Sequence, residues 1–163
     1  MLHAGHGKPD AFYFSDSSHD DCELACTEAG WGSGDLEWLV LDDCSCIADD
    51  RWQLDWVDAF QGLHLICGFS TTAHDVPKRG GQLADKLCGA SRMTFEQAWF
   101  YACEATEAGR TTAAAVGAVP NEGGSPFDDR LPPPGESEAA SGISPDVSTV
   151  TDRALVRVTH ACD

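Results

Sequence analysis

Lysine is almost missing from this chain: Lys8, Lys78 and Lys86 are the only three in 163 residues, and the basic total is 10 against 27 acidic residues. The resulting net charge of -17 leaves few cations to replace the counterions of a phosphate backbone, which argues against nucleic acid as a partner. It argues equally against an anionic membrane surface. The acidic residues are scattered along the whole length, so they read as a solvated acidic surface rather than a disordered tail. An Asp-rich, Lys-poor chain of this kind suggests the cytoplasm of a halophile, where salt screens the self-repulsion. Long hydrophobic runs are missing too. No stretch approaches the roughly 18 apolar residues of a membrane span, and the first residues lack the basic and apolar regions of a signal peptide.

What is present fits one domain with a tail. Eight cysteines include two close pairs, Cys22/Cys26 and Cys44/Cys46. A domain of this size does not need disulfides, and the apolar settings of Cys67, Cys88 and Cys103 read as buried free thiols in a reducing compartment. Short apolar runs alternate with helical periodicities, the pattern of an α/β fold. Leu2 to Ala4 reads as the end of a strand, Ala11 to Phe14 as a short extended piece, and residues 15–35 as an irregular connection with one helical turn near Cys22 to Ala29. "LEWLVL", residues 36–41, reads as a buried strand. Trp52, Trp56, Val57 and Phe60 have helical spacing and stop at Gly62. "LHLIC", residues 63–67, is the next strand.

A helix carrying Leu83, Ala84 and Leu87 follows Gly80-Gly81 and closes at Gly89. Thr94 with Gln97 forms a capping box for a second helix whose apolar face is Phe95, Ala98, Trp99, Ala102 and Cys103, ended by Gly109. "TAAAVGAV" and the terminal "RALVRVTHAC" read as strands. These readings divide the chain into an α/β domain over residues 1–119, a disordered Pro/Gly-rich linker over 120–146 holding six of the eight prolines, and a C-terminal extended segment over 147–163. Strands joined by crossover helices predict a mostly parallel sheet, which takes its ligands at the carboxyl ends of its strands.

His6, in "AGHGK", and Cys44, in "LVLDDCSC", both fall at strand ends. A cysteine nucleophile needs a base that favours its thiolate and donors that hold an oxyanion. His6 could supply the first, and the backbone N–H groups of Gly7 and Cys44 the second. An apolar strand ending in "GHG" followed by one ending in "LDDCSC" resembles the two catalytic blocks of caspase-type cysteine peptidases, the group of metacaspases, gingipains and legumains. "GLHLICGFSTTAHD" is similar to a stretch of an uncharacterised microbial family of that fold.

The resemblance implies a caspase-like three-layer α/β/α sandwich whose first strands precede this chain. It implies His6 as general acid/base, Cys44 as nucleophile, and Asp42 as the pocket residue for a basic side chain before the scissile bond. Cys46 competes with Cys44 for the nucleophile's role. The substrate implied is a protein or peptide, with no cofactor and no metal. A catalytically inactive interaction module of the same fold is the alternative reading, and a structural zinc domain is the third. Zinc ligands could come from His3 and His6, from Cys44 and Cys46, or from Cys22 and Cys26 with His19. His64 reads as a core or sheet-face residue, and His74 as a surface residue or part of the site's rim.

Overall fold

The structure, a computed structural model, describes residues 1–14, 22–31, 36–48, 56–137, 142–144, 146–147 and 153–163. Seven strands form one sheet: β1 (Leu2–Lys8), β2 (Ala11–Tyr13), β3 (Glu23–Ala25), β4 (Trp38–Asp43), β5 (Leu65–Phe69), β6 (Thr111–Pro120) and β7 (Arg153–Cys162). Their spatial order is β3-β2-β1-β4-β5-β6-β7. Two helices, α1 (Arg79–Cys88) and α2 (Phe95–Glu104), complete the regular structure together with short 3₁₀ turns at Cys26–Glu28, Val57–Phe60 and Pro126–Asp128. The fold is therefore mixed α/β.

The sheet is not mostly parallel. Only β1 with β4 and β4 with β5 run parallel, while β1–β2, β2–β3, β5–β6 and β6–β7 are antiparallel. The physical reason lies in the connections. Pro9 and Asp10 leave a two-residue link between Lys8 and Ala11, which pair across it, and so short a link permits only a hairpin. At the other edge ten residues of β6 meet ten of β7 in an unbroken ladder.

Alternation along the strands sorts their side chains onto two faces. Leu39, Leu41, Ile66, Ala114, Val116 and Ala118 turn to one face and pack with Phe12, Cys46, Ile47, Trp56 and Phe60. Trp38, Val40, Leu65, Cys67, Phe69, Ala113 and Ala115 turn to the other, under Leu83 and Leu87 of α1 and Phe95, Ala98, Trp99 and Ala102 of α2. Both regular helices thus cover one face. Trp99 anchors that layer by donating its Nε1–H to the Gly68 carbonyl at 3.0 Å, so a large apolar ring is buried without stranding its polar atom.

The expected start of α2 follows from its residues, whereas α1 begins at Arg79, ahead of Gly80-Gly81 and without a side-chain cap. The Thr94 hydroxyl accepts from Gln97 N–H at 3.3 Å and the Gln97 side chain takes the Thr94 N–H, closing the capping box. The helix ends at Glu104, five residues before the expected Gly109. In the Trp-rich segment, Val57–Phe60 forms a single 3₁₀ turn, whereas Trp52 lies outside the described residues, as do His19, Asp49 and Asp50. The stretch expected as a disordered linker contains a 3₁₀ turn with Pro126 buried and Asp129 1% exposed. All eight cysteines are free thiols; Cys67 and Cys103 are buried as expected, but Cys88, at the end of α1, is exposed. No helix among the described residues is long and apolar enough to cross a membrane.

Candidate active site

The parallel register of β1 on β4 ends with Gly5 opposite Asp43. The next residues along the two chains are His6 and Cys44, and both line one cleft. Ala4 pairs with Asp42, so parity puts Ala4, His6, Asp42 and Cys44 on one face of neighbouring strands. Ala4, Gly5, His6, Asp42 and Cys44 line a cleft of about 240 Å³, which Ala73, His74 and Asp75 close from the loop after β5. His6 belongs to β1 itself, since the strand continues through the hairpin, and is not the first residue beyond it.

Cys44 and Cys46 part company within one turn. Ser45 has φ 56°, a left-handed conformation that reverses the chain between them. Cys44 is half-buried at the cleft. Its S–H donates to the Ala73 carbonyl at 3.3 Å and its Sγ accepts the Ala73 N–H at the same distance, a donor that would persist for a thiolate. Cys46 points into the core with no exposed surface, and burial pushes its thiol up to about 12. Two glycines make this tight turn possible. A Cβ on Gly68 would lie 2.5 Å from Cys46 Sγ, and one on Gly7 would lie 2.7 Å from Asp43 Cβ and 2.9 Å from the Cys44 carbonyl. Gly7 therefore sets the spacing between β1 and the turn, and it is not among the cleft-lining residues.

Asp42 lines the cleft, but its charge is engaged from within. Arg79, 1% exposed at the start of α1, donates Nη1–H to Asp42 and Nη2–H to Glu107, and a further Nη2–H to the His74 carbonyl at 2.9 Å. Its Nε–H goes to the Thr106 hydroxyl at 3.0 Å, and its guanidinium lies 4.9 Å over the Phe69 ring. Burial pushes the Asp42 carboxyl above its ordinary value, against the pull of Arg79. Asp42, expected as the pocket residue for a basic side chain before the scissile bond, lines the cleft and is ion-paired with Arg79.

Three further residues had no clear signal in the sequence. Glu107 accepts the His74 N–H at 3.0 Å and the His74 Nδ1–H at 2.7 Å, which fixes the tautomer and leaves Nε2 of this largely exposed ring as an acceptor at the cleft rim. Asp43, on the opposite face, takes the His3 Nδ1–H at 2.9 Å, so the two imidazoles of His3-x-x-His6 serve different faces. Burial raises the Asp43 carboxyl, opposed by its His3 bond. A buried pair such as Arg79–Glu107 could have been suspected only from an arginine at a helix start within an otherwise acidic chain.

The arrangement defines a mixed α/β domain with a Cys/His cleft at the carboxyl ends of two adjacent parallel strands. The chain belongs to the family described as "Domain of unknown function (DUF6345)", whose model matches residues 1–152. It is 30% identical over 93 residues to an "Uncharacterized protein" of Archaeoglobus fulgidus, an alignment covering 55% of this chain and 35% of that protein. The chain thus spans about a third of the length of the curated relative it matches. No solved structure matches.

Proposed function

We propose that the cleft is the active site of a cysteine endopeptidase of caspase-like type. The observation that carries this reading is the meeting of His6 and Cys44 in one cleft while the neighbouring Cys46 is sealed in the core with its thiol pushed up to about 12. The parallel adjacency of the histidine strand and the cysteine strand is consistent with the motif resemblance. In the proposed reaction His6 takes the Cys44 proton, the thiolate attacks the peptide carbonyl, and His6 returns the proton to the leaving amine; water then hydrolyses the thioester. The Cys44 N–H serves the oxyanion, and the Ala73 N–H steadies the thiolate before attack. Asp42, held by Arg79, lines the cleft, and a basic residue before the scissile bond is the substrate preference proposed from it.

A second assignment of the base rests on His74, whose Nδ1–H is oriented by Glu107 and whose ring lines the same cleft. Labelling by iodoacetamide at high salt, mapped by mass spectrometry, tests both. Preferential alkylation of Cys44 that disappears in His6→Ala supports the proposed dyad. Loss in His74→Ala with His6→Ala unchanged transfers the base to His74. Slow, indiscriminate alkylation in the parent protein overturns the peptidase reading in favour of a non-catalytic interaction module.

A further inference from the structure

At the end of the sheet opposite the cleft, His64 immediately precedes β5 and is 3% exposed. Three carboxylates surround its ring. Nδ1 lies 2.9 Å from Asp129 Oδ2, and because a carboxylate only accepts, Nδ1 carries the proton. Asp129 is held in turn by the Trp38 indole N–H at 3.2 Å and the Ser144 N–H at 2.9 Å. A buried carboxylate that is itself fixed, and that fixes the far nitrogen of an imidazole, is the arrangement that orients histidine ligands in metal centres. Nε2 is thereby aimed at Glu37 Oε2, 3.0 Å away, and Asp146 Oδ1, 3.1 Å away.

We propose that His64 Nε2, Glu37 and Asp146 form a binding site for one divalent transition-metal cation, with Asp129 orienting the imidazole. The three donor atoms lie within 4.8 Å of one another. Donors about 2.1 Å from a shared ion stand about 3.0–3.4 Å apart in octahedral or tetrahedral geometry, so two edges of the polyhedron already have its length. Even a protonated His64 offers a single Nε2–H to two carboxylates, Glu37 and Asp146. Among the described residues, neither Asp129 nor Asp146 is ion-paired with a lysine or arginine.

One imidazole with carboxylates and no thiolate suits Mn²⁺, Fe²⁺ or Zn²⁺ better than an all-oxygen ion such as Mg²⁺. Asp146 has a side chain 68% exposed, so the site opens to water, which would complete the coordination. Such an ion would clip Asp146 to the residues that precede β4 and β5. The inference is independent of the peptidase reading.

The test titrates the whole chain with Mn²⁺, which has little affinity for thiols, in high KCl to screen the acidic surface, following free Mn²⁺ by electron paramagnetic resonance. One saturable Mn²⁺ per chain is expected, with affinity reduced about tenfold or more in Asp129→Asn and at least as much in Asp146→Asn. Asp146→Asn changes an exposed group, and its circular dichroism should match the parent. The unfolding midpoint of the parent, but not of Asp146→Asn, should rise with Mn²⁺ concentration. An absence of saturable binding, or binding that survives both Asp146→Asn and His64→Gln, overturns the proposal.

Discussion

At the carboxyl ends of β1 and β4, two carboxylates, the half-buried Asp42 and the buried Glu107, meet one guanidinium. At the other end of β4 and β5, three carboxylates meet one imidazole. Arg79 presents a rigid fork of donors that matches two carboxylates and a carbonyl together. That end is a closed network, which frees the cleft above it to hold a thiol and an imidazole. His64 presents two nitrogens, and one is already taken by Asp129. The difference teaches that the cation chosen to accompany buried acids decides whether a cluster can serve only as scaffold or can also accept a ligand.

Breaking the arginine end should produce the largest effect. Arg79→Met strands two desolvated carboxylates, and removing one partner of a buried ion pair costs about 3–5 kcal/mol; the denaturant midpoint would show it, and a loss below about 1 kcal/mol would contradict a closed network. His64→Gln in metal-free buffer should cost less, about 1–3 kcal/mol, because the amide still donates to a carboxylate. Equal losses at the two ends would erase the distinction. A smaller effect separates the cysteines. With its thiol pushed up to about 12, Cys46 is only about one-thousandth ionised at pH 9 even when exposed to reagent, so its alkylation should wait on unfolding while Cys44 reacts in the native state.

The linkage has a sign. Cys46 holds its proton more tightly folded than unfolded, so its contribution to stability is intact below about pH 9 and falls as pH climbs toward about 12. A Cys46→Ala variant should lose less stability over that window than the parent does. The smallest effect is a control far from both ends: Thr94→Ala removes the hydroxyl that caps α2 and should cost about 1 kcal/mol, with Cys44 labelling unaltered.

Much of this arrangement is legible in the residues. The apolar run at Leu39–Leu41 and the capping box at Thr94 and Gln97 locate β4 and α2, because local periodicity and local hydrogen bonds fix them. His6 and Cys44 stand out because each ends a short apolar run beside small or acidic residues, although His6 lies within β1 and only Cys44 follows its strand. The Arg79 network does not, since Asp42 and Glu107 reach it from distant parts of the chain and no local pattern couples them. Asp129 was hidden for another reason: prolines disfavour helix and sheet interiors but do not prevent a chain from lying ordered against the face and end of a sheet. The antiparallel outer strands escaped because alternation identifies a strand and says nothing of its direction.

The ten-residue ladder between β6 and β7 carries a consequence for the order of assembly. Its two strands are joined through residues 121–152, so the ladder can close only after a long loop has been brought round, and the entropy of that closure is lost before the pairing repays it. β4 and β5, joined through residues 44–64, involve a shorter return and can condense first. β7, which pairs with β6 alone among the strands, is then the last strand to join and the first to fray. Amide exchange in the native protein should quicken from β5 outward to β7, and a nascent chain would spend its longest vulnerable interval with the outer edge of β6 uncovered.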